Sequence, residues 1–470
     1  MRYPGCMNLE TIFLAVFLIP VLMIAGKFLR RKITWLKRLF LPSSIIAGVL
    51  ALMLGPQGVG RFFEESSIWS HGLWPEDVLA VWDALPGLLI DVVFASLFLG
   101  KTLPGIHEIW KSSGPMVVHG HVLAWGQYVV GLLLVIFVLV PVWDTSPMAG
   151  ALIEIGFKGG HGTAAGLTET FRELGFSDGA DLALGLATLG VVSGVMLGTA
   201  AINWAVWKGL ISKPEDLSAE ENGEDLAEHE NREKVIDTHY QDKSIEPLSI
   251  HLGMIGAAIG LGWVILEGLI HFERVALIPL GWPELMTHIP RFPLAMIGGV
   301  IVQLLGDKLG YTQLMDRKLI NRISGTSLDL LIVAALGALS LEAIGGHILP
   351  FLLLAFAGLL WNIFGFFVLA PRMFPRNWVT NGLANFGQSV GMTVVGLLLI
   401  RMSDPEGRTG VMEAFGYKQL LFEPLVGGGL FTAASVPLIA EFGPWPVLIG
   451  TTIIMIAWLI PGLWKFGPES

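Results

Sequence analysis

Long apolar runs separated by short polar intervals dominate this chain. A bilayer is crossed by about 20 mostly apolar residues, and on that measure the pattern predicts spans at Leu9–Leu29, Leu41–Leu54, Ala84–Leu99, Pro115–Val142 and Asp181–Trp207. A polar interval follows, and then further spans at Leu248–His271, Phe292–Leu305, Thr326–Leu341, Gly346–Leu369, Lys418–Ala440 and Pro444–Leu463. Two more apolar stretches, about 151–168 and 381–400, are too broken by glycine to read as ordinary spans. The first run has only Arg2 before it, lacks an A-x-A site and carries its basic cluster behind it. It is therefore expected to be a retained helix rather than a signal peptide.

Composition agrees with this pattern. Of 470 residues 53% are hydrophobic and 14% charged, against about 25% charged in a soluble domain, and the mean hydropathy is +0.67. The expected class is an all-α polytopic membrane protein. A lone cysteine, Cys6, excludes a disulfide scaffold. The net charge of -10 comes mostly from one polar segment, where Glu220, Glu221, Glu224, Asp225, Glu228, Glu230 and Glu233 crowd together and cannot bury a core. No basic patch is large enough to suggest nucleic acid. With the N-terminus outside, roughly 23 of the 29 Lys and Arg fall on the cytoplasmic side, as topology rules require. Trp69, Trp74 and Trp82 then form an outer interfacial belt.

The acidic segment, 208–247, reads as a cytoplasmic linker between two halves, 1–207 and 248–441, with the same order of parts: four helices, a glycine-rich break, and a helix rich in small residues. Five spans per half is an odd number, so the second half enters from the opposite side, as in the inverted repeats of many secondary transporters. A final helix, 444–464, lies outside this repeat.

Chemistry concentrates in the two breaks. Gly156-Phe-Lys-Gly-Gly-His-Gly-Thr-Ala-Ala-Gly166 has five glycines in eleven residues, which permit a sharp reversal and close approach of backbone to a ligand. Irregular backbone survives at membrane depth only inside protein or beside a wet cavity. Exposed N–H groups there attract a carboxylate, while carbonyls and the Thr163 hydroxyl suit Na⁺. The second break, Asn381-Gly-Leu-Ala-Asn-Phe-Gly-Gln-Ser-Val-Gly-Met-Thr393, brings carboxamides and hydroxyls into an apolar stretch. Candidate substrate contacts are Gly159, Gly160, His161, Gly162, Thr163, Gly387, Gln388 and Ser389, with Arg401 as a counter-charge. Candidate Na⁺ ligands are Thr163, Asn385, Thr393 and Glu423. Glu423, beside Pro424 in the last small-residue helix, reads equally as a cation or proton site and as an interfacial structural residue. His119 and His121 open the fourth span and are expected at the interface. Asp91 and Glu267 are ionisable residues inside spans that pair with each other or with residues not identifiable from sequence.

Phe157-Lys-Gly-Gly-His-Gly-Thr-Ala-Ala resembles the Gly-Gly-His-Gly-Thr signature of bacterial sodium/glutamate symporters, and Leu41-Pro-Ser-Ser-Ile-Ile-Ala-Gly48 and Ala187-Thr-Leu-Gly-Val-Val-Ser-Gly194 are similar to that family too. The resemblance implies two inverted five-helix repeats, each with a re-entrant hairpin, related distantly to the 2-hydroxycarboxylate transporters. It also implies a homodimer in the bacterial cytoplasmic membrane, taking up L-glutamate with Na⁺ as coupling ion and no other cofactor. Residues 159–163 would line half the site. The second break lacks the fuller glycine run and Thr-Pro dipeptide of better-known members, which leaves another carboxylate-bearing solute, or H⁺ in place of Na⁺, as the alternative. The chain has no HExxH, no intramembrane Asp pair and no Gly-Lys-Ser/Thr phosphate loop, so neither an enzyme nor an ATP-driven pump is expected.

Overall fold

The computed structural model describes residues 8–33, 42–63, 72–101, 105–211, 246–311 and 314–466. Cys6 and nearly all of the acidic linker lie outside the described residues. Among those described, eleven helices are long and apolar enough to cross a membrane, and the chain is a multi-pass, all-α membrane protein.

The helices sort into two bundles. One contains α1 (Leu9–Lys32), α2 (Ser43–Leu54) and α3 (Glu76–Ala95) from the first half, with α8 (Pro247–Phe272), α9 (Phe292–Leu309) and α10 (Arg317–Gly337) from the second. Its seams are small and apolar: Ala15, Ile19, Ala47, Ala51, Val78 and Val333 pack together, as do Ala95, Ile255, Ala258 and Ala295. Trp69 lies outside the described residues, and Trp82 is in a helix rather than an outer loop. It is fully buried in α3, and its indole N–H donates to the Ala15 carbonyl of α1 at 2.9 Å, because a buried indole needs an acceptor. Arg317 begins α10 and ties it to the end of α3 by donating to the carbonyls of Ser96 and Leu99 at 2.7 and 2.6 Å.

The other bundle is built from α4 (Ile106–Leu134), a first hairpin, and α7 (Gly179–Trp207), with α12 (Ile348–Phe364), α13 (Trp378–Ser403), α14 (Val411–Phe422), α15 (Leu430–Phe442) and α16 (Pro444–Lys465). The first hairpin, 147–166, ends in the short helix α5 (Gly160–Gly166); α6 (Thr168–Glu173) follows it, and α11 (Leu341–Gly346) precedes α12 in the second half. The fourth helix of each half carries the same irregularity. Five residues in π geometry, Val135–Leu139 and Gly365–Leu369, each lead into a short turn containing a proline, Pro141 and Pro371. Proline lacks the N–H that would continue the ladder, and wider turns absorb the mismatch.

Two expected elements take a different form. The stretch Lys418–Ala440 is not one helix: it is α14 and α15, separated by an irregular crossing from Glu423 to Gly429. Pro424 removes a backbone donor, and Gly427 and Gly428 adopt positive φ of 77° and 103°, so the helix cannot run through. Helix α13 is long enough to span, yet it is broken at Gly391–Met392 and doubles back. Gly387 and Gly396 would stand about 13 Å apart on a continuous helix. Instead, a Cβ on Gly387 would lie 2.9 Å from the backbone N and Cα of Gly396. The two arms therefore pack backbone against backbone.

Candidate functional site

The two breaks reverse the chain with the same backbone conformation. Gly160 has φ 72° and ψ −169°; Met392 has φ 60° and ψ 177°. This region is essentially open to glycine only, and a side chain in it carries about 1–3 kcal/mol of strain. The tips touch: a Cβ on Gly160 would lie 2.9 Å from the Met392 sulfur. Because Met392 is strained and unbranched, Met392→Ile should unfold about 1–3 kcal/mol more easily than Met392→Gly, measured by thermal unfolding of the purified variants.

Helix α7 is the platform for both tips. Its stripe of small residues lets Gly156 of the first hairpin approach Ala183 and Ala187, while Gly190 lies against the Val390 carbonyl of the second. His161 is fully buried, and its Nε2 donates to the Thr188 hydroxyl of α7 at 2.9 Å, since that hydroxyl already donates to the Leu184 carbonyl. Thr163 donates to the Gly159 carbonyl at 3.0 Å, and its oxygen would lie 2.6 Å from a Cβ on Gly428. The crossing between α14 and α15 thus passes directly beside the first hairpin.

A buried carboxylate holds that crossing. Glu154, with no exposed surface, accepts from the Gly427 N–H at 2.6 Å, the Thr432 hydroxyl at 3.1 Å and the Tyr128 hydroxyl at 2.6 Å. Two lysines flank one ring: the Nζ atoms of Lys158 and Lys418 lie 4.3 and 4.4 Å from the centroid of Phe422. Lys158 donates to the Gly120 carbonyl at 2.9 Å, and Lys418 to Asn385 Oδ1 at 2.7 Å and to Gln388 Oε1. Gln388 donates in turn to Gln419 at 2.9 Å and to the Thr393 hydroxyl at 3.2 Å. Thr393, the first residue beyond the tip, also lies beside Glu423.

The structure therefore brings Gly159, Gly160, Thr163, Gln388, Thr393 and Glu423 to one place, and packs His161 and Gly162 immediately beside it. Asn385 lies about two turns down the first arm. Arg401 is nine residues beyond Met392, about 13 Å along a helix. His119 and His121 do not open their helix. Helix α4 begins at Ile106, more than three turns before them, and both rings are buried; His119 accepts from Asn385 Nδ2 at 3.0 Å. Asp91 does not face Glu267, which is exposed to the bundle's outside; its partner is Arg291 at 3.6 Å.

Sequence reasoning missed Lys158, Lys418, Glu154 and Tyr128. Lys158 stands inside the glycine-rich motif, and a cation in an apolar break was itself a signal. In setting an enzyme aside, sequence reasoning also overlooked that Gly387-Gln-Ser-Val-Gly391 spells the G-x-S-x-G pattern of serine hydrolases. Ser389, however, is buried with no hydrogen-bond partner for its hydroxyl, whereas a nucleophilic serine needs a base in contact.

Comparison with curated proteins finds no match. The model of the sodium/glutamate symporter family matches residues 116–393, a segment that begins in α4 and ends just past the second tip, so that it contains both reversals. With that match covering more than half the chain, this protein belongs to the sodium/glutamate symporter family: it is a transporter, not an enzyme.

Proposed function

We propose that this chain takes up L-glutamate together with Na⁺ by alternating access, with the substrate held between the two hairpin tips. The observation that carries this reading is the contact of Gly160 with Met392, two reversals of matching backbone drawn from two halves with the same order of parts. In this reading the halves, 1–207 and 248–441, are inverted repeats and the hairpins re-enter the membrane from opposite sides. The N-terminus is outside, the 208–247 linker is cytoplasmic, and residues 444–464 add a helix outside the repeat. The membrane is the bacterial cytoplasmic membrane, and assembly as a homodimer rests on the family resemblance.

The chemistry supports an anionic substrate. The second arm of α13 starts at the tip, where the first N–H groups of a helix lack intrahelical acceptors and favour negative charge. Lys158 and Lys418 bring buried amino groups to the tips; the carboxylates of Glu154 and Glu423 act on them electrostatically, but among the described residues neither lysine has a carboxylate within ion-pair distance. Thr163, Thr393 and Glu423 supply oxygens for a co-transported Na⁺ beside the tips. In this reading Lys158 and Lys418, rather than Arg401, serve the substrate's carboxylate.

Uptake of labelled L-glutamate into proteoliposomes tests this reading. An inward Na⁺ gradient should drive accumulation, and excess unlabelled L-glutamate should suppress it. Stronger suppression by another dicarboxylate would reassign the substrate, and uptake that ignores the Na⁺ gradient would sink symport.

A further inference from the structure

We propose that the Lys418 ammonium is a tethered cation, filling against the second hairpin a place that would otherwise suit a sodium ion. Asn385, read from sequence as a Na⁺ ligand, gives its side-chain oxygen to this lysine instead. The inference rests on the symport reading above and narrows it.

Lys418 is fully buried, and its Nζ hydrogen-bonds neutral carboxamides, while the charges of Glu423 and Lys158 act on it from beyond hydrogen-bond distance. It donates to Asn385 Oδ1 at 2.7 Å and to Gln388 Oε1, and lies over the rings of Phe422 and Phe415 at 4.4 and 5.1 Å. Both carboxamides are locked with their oxygens inward. Asn385 Nδ2 donates to the Met116 carbonyl at 3.1 Å and to His119 Nδ1 at 3.0 Å, while His119 Nε2 donates to the Gly365 carbonyl at 3.2 Å. Gln388 Nε2 is used in the same way by Gln419 and Thr393. Neither amide can turn without leaving its donors unpaired, which is costly when buried. The two oxygens are thus fixed acceptors converging on one point, a donor set that suits a hard monovalent cation as well as an ammonium. Through Gln388 and Thr393 this point connects to the tip itself, so the ammonium does what a bound ion does in a hairpin: it ties the tip to the helix behind it. The cation comes from α14, beyond the 116–393 match, whereas both oxygens come from within it.

Truncating the lysine should therefore create a sodium site. Melting temperatures of purified wild type, Lys418→Ala and Lys418→Met are compared in NaCl and in choline chloride, without glutamate. Sodium should raise the melting temperature of Lys418→Ala by several degrees more than that of wild type, because binding to the folded state alone stabilises it. Lys418→Met keeps the side-chain volume without charge and should respond as wild type does. Ethylammonium should stabilise Lys418→Ala and leave Lys418→Met unchanged. Equal sodium responses in wild type and Lys418→Ala overturn the proposal. Should Lys418→Ala not fold, Lys418→Ser, with a hydroxyl for the two oxygens, gives the same comparison. Uptake does not enter this readout, so a failure of glutamate symport leaves the comparison decisive.

Discussion

Gly160→Val is expected to lower L-glutamate uptake by more than about tenfold, a loss of over about 1.4 kcal/mol in productive binding, while the protein still reaches the membrane. Two effects coincide at this position. The backbone conformation, φ 72° and ψ −169°, excludes a β-branched residue without about 1–3 kcal/mol of strain. The added side chain would also point at Met392, whose sulfur lies 2.9 Å from the first added carbon. Methionine is flexible enough to move aside, so the fold survives, but the second tip is displaced from the first. Gly175→Ala separates the two effects. Gly175 also has a positive φ, 77°, but nothing lies within 4 Å of its added carbon. Uptake by that variant should stay near wild type. An equal loss in both would mean that the Gly160 result reports backbone strain alone. Rates are read from initial uptake, normalised to purified protein.

The second large effect is on folding. Glu154→Ala should destabilise the protein by about 2–3 kcal/mol or more, since it strands two buried donors and a third that is partly buried, each buried one costing about 1–3 kcal/mol. Those donors are the Gly427 N–H and the hydroxyls of Thr432 and Tyr128. Gly427 matters most, because it lies in the crossing between α14 and α15 and has no helical acceptor there. Glu154→Gln keeps one oxygen for Gly427 and Thr432, and its amide can donate to the Tyr128 oxygen. That variant should remain folded. Thermal unfolding and elution as a single species in detergent distinguish the two; a well-folded Glu154→Ala would show that the crossing is held by packing.

Spans and breaks were legible because the bilayer imposes a length on apolar runs and because glycine clusters interrupt them. Both reversals fall inside the stretches 151–168 and 381–400, and Gly160, at the first tip, and Thr393, next to the second, are among the candidate residues. Sequence could not show that Lys418–Ala440 is two helices, because an apolar run containing Pro424 and three glycines has the same hydropathy whether straight or broken. The buried cations were hidden for a related reason. Lys418 marks the end of an apolar run and so reads as a membrane boundary, and only the fold reveals that Asn385 and Gln388 wait for it. His119 misled in the same way. Its neighbours Gly365 and Asn385 come from the other half of the chain, more than 240 residues away, beyond any periodicity. Asp91 found Arg291 rather than Glu267 because partner choice is tertiary.

The central claim is that substrate binds between the two tips. It is tested most directly by an experimental density map of the protein in lipid nanodiscs with Na⁺ and L-glutamate, set against one without glutamate. The account predicts added density in contact with residues 160–163 of the first hairpin and with Met392 and Thr393 of the second. Added density confined elsewhere, for instance in the apolar groove lined by Leu52, Leu189, Leu336 and Phe351, would contradict it.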